Sequence, residues 1–170
     1  MQQVHTLNIQ QIQKKINPLC GQRCFEASLS YGEELHLEFG REHIILTTPK
    51  FIIKRGDWSL GTRGSNWTLT NQEELVVSSD ANCSYETVRK QITQLENKLV
   101  TSYKVNTDGG LQINFDGHYT LKICPSFDDS EDALAYWELL TPNHKVLEVK
   151  SKTKGHIVWS YLPSNGLISS

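Results

Sequence analysis

The run Leu111-Gln112-Ile113-Asn114-Phe115-Asp116-Gly117-His118-Tyr119-Thr120-Leu121-Lys122-Ile123 decides the fold. Apolar residues at 111, 113 and 115 alternate with polar ones, and the alternation resumes at 119, 121 and 123, the period of strands with one buried face. Asp116-Gly117 between them suits a tight hairpin turn, because both residues tolerate positive φ at little cost. The stretch reads as an antiparallel hairpin lying over a core. Upstream the same period runs through Phe25, Ala27 and Leu29, then Leu35, Leu37 and Phe39, with Gly40 turning the chain into a strand at 44–47. Downstream, Ala135, Trp137 and Leu139 lead through Pro142-Asn143 to a strand at 146–149, and Gly155 turns into a last strand holding Ile157, Trp159 and Tyr161.

A helix precedes each meander. Ile9, Ile12 and Ile16 recur at helical spacing, Asn8 can cap the start, Lys14 and Lys15 suit the C-terminal end, and Pro18 stops it. Ser84 is the matching cap for a second helix whose Val88, Ile92, Leu95 and Leu99 form one stripe. Shifted by 76 residues, 12–49 aligns with 88–125 without a gap, with identities at Lys14/Lys90, Ile16/Ile92, Leu19/Leu95, Leu35/Leu111, Phe39/Phe115 and Pro49/Pro125. The apolar frame keeps register too, as in Ile12/Val88, Cys24/Val100 and Leu37/Ile113. A looser echo at an offset of 70 relates Trp67, Leu69 and Val76 to Trp137, Leu139 and Val146. The expected fold is α+β: two pseudo-symmetric helix-plus-antiparallel-meander halves packed as one domain over 1–170, with a flexible tail at 164–170. Parallel β-α-β units and Gly-rich phosphate loops are not seen, which excludes the nucleotide-binding α/β folds.

The chain has 170 residues, 38% apolar and 21% charged, enough for one core. No apolar run approaches a membrane span, and the first residues lack a basic-then-apolar leader, so a cytoplasmic protein is expected. A net charge of −2 and a pI near 6.3 give no footprint for direct nucleic-acid binding.

Chemistry-bearing motifs are sparse. Cys20-x-x-x-Cys24 lacks a second ligand pair, so no metal or cofactor is expected, and Cys24 reads as a buried apolar position. The histidines at 5, 36, 43, 118, 144 and 156 are scattered, and no serine sits in a nucleophile elbow. Enzymatic activity is not expected. Two segments are candidates for partner binding. Trp58 and Arg63 lie in a Gly-rich stretch of hot-spot composition, with a core role for Trp58 as the alternative. Asp128, Asp129, Glu131 and Asp132 are a solvated acidic loop or a surface complementary to a basic partner.

The pattern Gly32-x-x-Leu35-x-Leu37-x-Phe39-Gly40, Leu95, the Asp108–Gly117 segment, Tyr136-Trp137-x-Leu139 and Val158-Trp159 resembles a family of small bacterial proteins that includes wall-associated toxin immunity (WapI-like) proteins. The likeness spans 16–161, with the acidic stretch inserted before Tyr136. It implies a non-catalytic protein that neutralises a toxin domain, such as a nuclease, by covering its active or substrate-binding surface. The alternative is a small-molecule-binding domain with a Trp- and Tyr-lined pocket between the halves.

Overall fold

The computed structural model describes residues 7–30, 33–63, 65–126, 136–153 and 156–164. The acidic residues Asp128, Asp129, Glu131 and Asp132, and the tail beyond Ser164, lie outside them.

Helix α1 (Ile9–Ile16) begins where Asn8 and Gln11 satisfy each other's backbone N–H groups, and it buries Ile12 and Ile16 completely. That reciprocal cap matters because eight residues are too few for a helix to persist unaided. A 3-10 turn at Asn17–Leu19 holds Pro18, ends the helix and buries Leu19. Helix α2 (Tyr85–Ile92) is built alike: Ser84 accepts from the Thr87 N–H, Val88 and Ile92 are buried, and a 3-10 turn at Thr93–Leu95 buries Leu95. Leu99 does not extend the stripe. It is 43% exposed, because the chain there has left the helix and bridges to Arg23. No helix among the described residues is long and apolar enough to cross a membrane.

Numbered along the chain, β1 (Cys24–Leu29), β2 (Leu35–Phe39), β5 (Trp58–Thr62), β11 (Trp137–Leu140), β12 (Lys145–Thr153) and β13 (His156–Pro163) lie side by side in one sheet. A second sheet has the order β7 (Glu74–Ser78), β6 (Ser65–Asn71), β10 (Tyr119–Pro125), β9 (Leu111–Phe115), β8 (Val100–Val105). The pairings are antiparallel, and the fold is α+β. The remaining strands, β3 (His43–Thr47) and β4 (Ile52–Arg55), pair with each other as a separate ribbon. Buried side chains of both helices and both sheets form one hydrophobic cluster, in which Phe39 of one sheet stacks on Phe115 of the other at 6.3 Å.

Each sheet draws strands from both helix-plus-meander stretches of the chain. β5 ends at Thr62 in the first sheet and β6 starts at Ser65 in the second, while β10 in the second is followed by β11 in the first. Leu60 thus stands between Leu37 and Leu139, and Leu121 between Ile113 and Leu69. Helix, 3-10 turn and the next two strands start at residues 76 apart in the two stretches. The bonds that join the sheets recur at the same offset. Gly21 N–H donates to Val100 O and Asn97 N–H to Cys24 O, both at 2.7 Å; Cys24 N–H donates to Lys98 O and Val100 N–H to Gln22 O, both at 2.9 Å. Trp67 Nε1 donates to Glu33 O and Trp137 Nε1 to Gly109 O, at 2.9 and 2.8 Å, with the acceptors at the offset of 76 and the donors at the offset of 70.

Two strand expectations need correction. A bulge between Cys24 and Glu26 puts Cys24 and Ala27 in the core and leaves Phe25 and Leu29 half-buried. More consequentially, the strand at 43–47, aligned with 119–123 in the repeat, is not the neighbour of β2. β5 holds that place, with Trp58 opposite Phe39 as Tyr119 is opposite Phe115. Three residues, 116–118, turn the chain between β9 and β10, whereas eighteen, 40–57, separate β2 from β5.

Candidate functional site

Those eighteen residues hold the most unusual surface of the described chain. Ile44, Ile45, Leu46, Phe51, Ile52 and Ile53 are each between 44% and 65% exposed. Large apolar side chains scattered singly over a surface are ordinary, but six crowded on one ribbon are not. The register sets their directions. Leu46 is opposite Ile53 and His43 opposite Arg55 on one face; Ile44 is opposite Lys54 and Thr47 opposite Ile52 on the other, with a bulge between Ile44 and Leu46. Both faces of the ribbon therefore carry apolar groups and a cation.

An isolated two-stranded hairpin is marginal in water, so what holds this one in shape is informative. At its root, Asp57 accepts from the Arg41 N–H at 3.0 Å, from His43 Nε2 at 2.8 Å and from Arg41 Nε at 3.4 Å. The Arg41 backbone bond, with the His43 bond next, draws the Asp57 carboxyl down to about 2. Lys54 Nζ meets Glu42 at 2.8 Å, and Arg23 approaches the same carboxylate at 4.0 Å. Gly56 lies so close to β2 that a Cβ would stand 2.3 Å from Phe39 O. At the tip, Thr48 N–H donates to Phe51 O, and Thr48 Oγ1 accepts from the Lys50 and Phe51 N–H groups. The apolar ribbon is clasped at both ends.

Beneath the root lies a cluster with the residue types of a hydrolytic triad. Glu38, in β2, is 3% exposed; its Oε1 is 2.6 Å from His36 Nε2 and accepts from Ser59 Oγ at 2.9 Å, and its Oε2 accepts from Gly56 N–H at 2.7 Å. Ser59 Oγ is also 3.3 Å from His36 Nε2. A working triad needs one imidazole nitrogen facing the hydroxyl and the other facing the carboxylate. Here the same nitrogen faces both, and the hydroxyl donates to the carboxylate. The cluster satisfies a buried carboxylate that fixes the Gly56 corner; it does not activate a nucleophile.

The residues singled out from sequence are not brought together. Trp58 is 4% exposed in β5 and belongs to the core, so its role as a partner contact is corrected: alternation in β5 turns it inward with Leu60. Arg63 is at the surface and pairs with Glu138 at 3.3 Å. The acidic quartet lies outside the described residues. Cys20 is half-buried, Cys24 buried, and Cys83 and Cys124 exposed; burial pushes the Cys24 thiol up to about 12. Among the described residues no three His, Cys, Asp or Glu side chains cluster closely enough to hold a metal ion. An open hollow of about 650 Å³ lies by the β9–β10 turn, lined by Gln72, Glu73, Thr101, Asn114, His118 and Tyr119 among others, on the outer surface. The space between the sheets is filled by the apolar cluster.

The signal for the hairpin was present in the sequence. Ile44-Ile45-Leu46 and Phe51-Ile52-Ile53 are runs of three apolar residues without the alternation of a half-buried strand, and such runs at a surface are errors unless they serve a function. No protein-family model, curated protein or solved structure matches the chain.

Proposed function

We propose that this protein acts by binding another protein and that the β3–β4 hairpin is its docking element. The observation that carries the reading is the hairpin itself: six large apolar side chains held in water on a ribbon clasped at root and tip. Preorganisation of this kind lowers the ordering cost of association, and crowded apolar anchors are where binding energy concentrates. The resemblance of the sequence pattern to wall-associated toxin immunity proteins supports a toxin domain as the partner, neutralised in the cytoplasm by occlusion of its active surface. No reaction by this chain is needed.

The 76-residue recurrence of elements and junction bonds supports a second part of the proposal: the domain is a duplicated helix-plus-meander unit in two pseudo-symmetric halves, and the hairpin is an addition to the first. On that view the addition is dispensable for folding and indispensable for binding. The test is growth rescue. A toxin domain from the same cell is expressed with the full chain or with a chain lacking the hairpin. Rescue by the full chain alone is expected; equal rescue by both would remove the hairpin from the interface, and rescue by neither would remove the immunity reading.

A further inference from the structure

The hairpin's charge and two-sidedness say what kind of surface receives it. Residues 41–55 carry Arg41, Lys50, Lys54 and Arg55 against Glu42, a net of +3, so the rest of the chain sums to −5. Lys54 is neutralised by Glu42 and Arg41 by Asp57, whereas no ion pair is found for Lys50 or Arg55 among the described residues. Lys50 is exposed at the tip, beside Pro49, on a turn fixed by Thr48. A flat partner would cover one face of the ribbon and leave either Leu46 and Ile53 or Ile44 and Ile52 in water. A two-fold dimer of ribbons stacked face to face would do the same. A cleft covers both faces along the whole of the strands, about 15 Å long at roughly 3.3 Å per residue.

We propose that the hairpin inserts as a plug into a cleft of the partner protein that has apolar walls and carboxylates at its floor, Lys50 meeting the carboxylates and Arg55 the rim. This deepens the protein-binding reading and rests on it. It also redirects the class of partner. A nuclease's substrate cleft is basic and would repel this hairpin. The receiving enzyme is one that works with side-chain carboxylates, as glycoside-cleaving enzymes do.

The experiment uses the full chain in its own cells with a photo-crosslinking amino acid placed at Leu46, at Ile44 or, as a control away from the hairpin, at Leu75. In parallel, a water-soluble carbodiimide couples lysine amines directly to carboxylates, and linked peptides are read by mass spectrometry. The expected result is cross-links from Leu46 and Ile44 to opposite walls of one partner cleft, none from Leu75, and coupling of Lys50 to an Asp or Glu in that cleft. Lys50→Glu should weaken the purified complex at least tenfold while the circular dichroism spectrum stays unchanged. Cross-links to a partner from one face alone, with Lys50 uncoupled, would overturn the plug and leave protein binding standing. Cross-links from both faces to a second copy of this chain, or co-sedimentation with phosphatidylserine vesicles in place of any protein cross-link, would overturn both.

Discussion

Replacing residues 40–57 by Asp-Gly-His, the turn that joins β9 to β10, tests whether the hairpin belongs to the fold or stands upon it. The registers permit the exchange, since Phe39 faces Trp58 as Phe115 faces Tyr119. Glu38 must change with it, because loss of Gly56 N–H would leave half of a buried carboxylate unsatisfied; Glu38→Asn copies Asn114, its counterpart at the offset of 76. Shortening the connection from eighteen residues to three should lower the closure cost by about 1.6 kcal/mol, taking about 0.6 for each doubling of length. Against this stand the surface ion pairs of Arg23, Arg41 and Lys54, which solvent screens, and a buried hydrogen bond worth about 1 kcal/mol. The apolar residues of the ribbon, each 44–65% exposed, contribute little burial compared with the core. The two sides nearly cancel, so urea and thermal unfolding followed by circular dichroism should place the trimmed chain within about 1 kcal/mol of the parent, or about 4 °C in Tm. A loss above about 4 kcal/mol, or a chain that does not fold, would refute the reasoning by making the hairpin part of the core.

Three other expectations follow from local geometry. Gly56→Ala should destabilise by more than about 2 kcal/mol in urea titration, because the new methyl meets backbone atoms of Phe39 that cannot yield; an unchanged midpoint would mean that the corner is slack. The Asp57 carboxyl sits near 2 in the folded chain, below its ordinary value of 3.8, so what it contributes is complete above about pH 4 and lost as pH falls towards 2. The hairpin should therefore resist proteolysis equally at pH 7 and pH 5, and Asp57→Asn should speed cleavage within 41–55 at both while costing under about 1 kcal/mol of global stability. At pH 8 a thiol reagent should label Cys83 and Cys124 at once and Cys24 only after unfolding, since burial holds that thiol near 12; early labelling of Cys24 would contradict its packing.

Local periodicity made the helices and most strands readable, because caps such as Asn8 and Ser84 and alternations such as Leu111, Ile113 and Phe115 are settled within a few residues. Partnership between distant strands is not settled locally. Nothing in the two residues between Thr62 and Ser65 reveals that the chain there changes sheets, so the meanders read as self-contained when they exchange strands. The separate ribbon was not legible because an ungapped repeat alignment gave the strand at 44–47 a counterpart at 120–123, within the second sheet. The inward place of Trp58 is set by pairing with Phe39 rather than by the glycines around it. The His36, Glu38 and Ser59 cluster could not be seen at all, since it joins two strands separated by the whole hairpin.

The strand exchange has a consequence for how the chain comes into being. When residues 1–78 have emerged from the ribosome, β5 has β2 on one side, but its other neighbour, β11, is still some sixty residues from being made. The same holds for β6, whose Trp67 and Leu69 await β10 at 119–125. The second sheet cannot close before residue 125 is synthesised, nor β5 gain its second neighbour before residue 140, which at about 5 to 20 residues per second leaves an unfinished strand edge open for seconds. During that interval the nascent chain shows, on β5 and β6 together, the surface that chaperones bind. A chain cut between β7 and α2 should yield two fragments that are unstructured apart and fold when mixed, each lending the other the strands that it lacks.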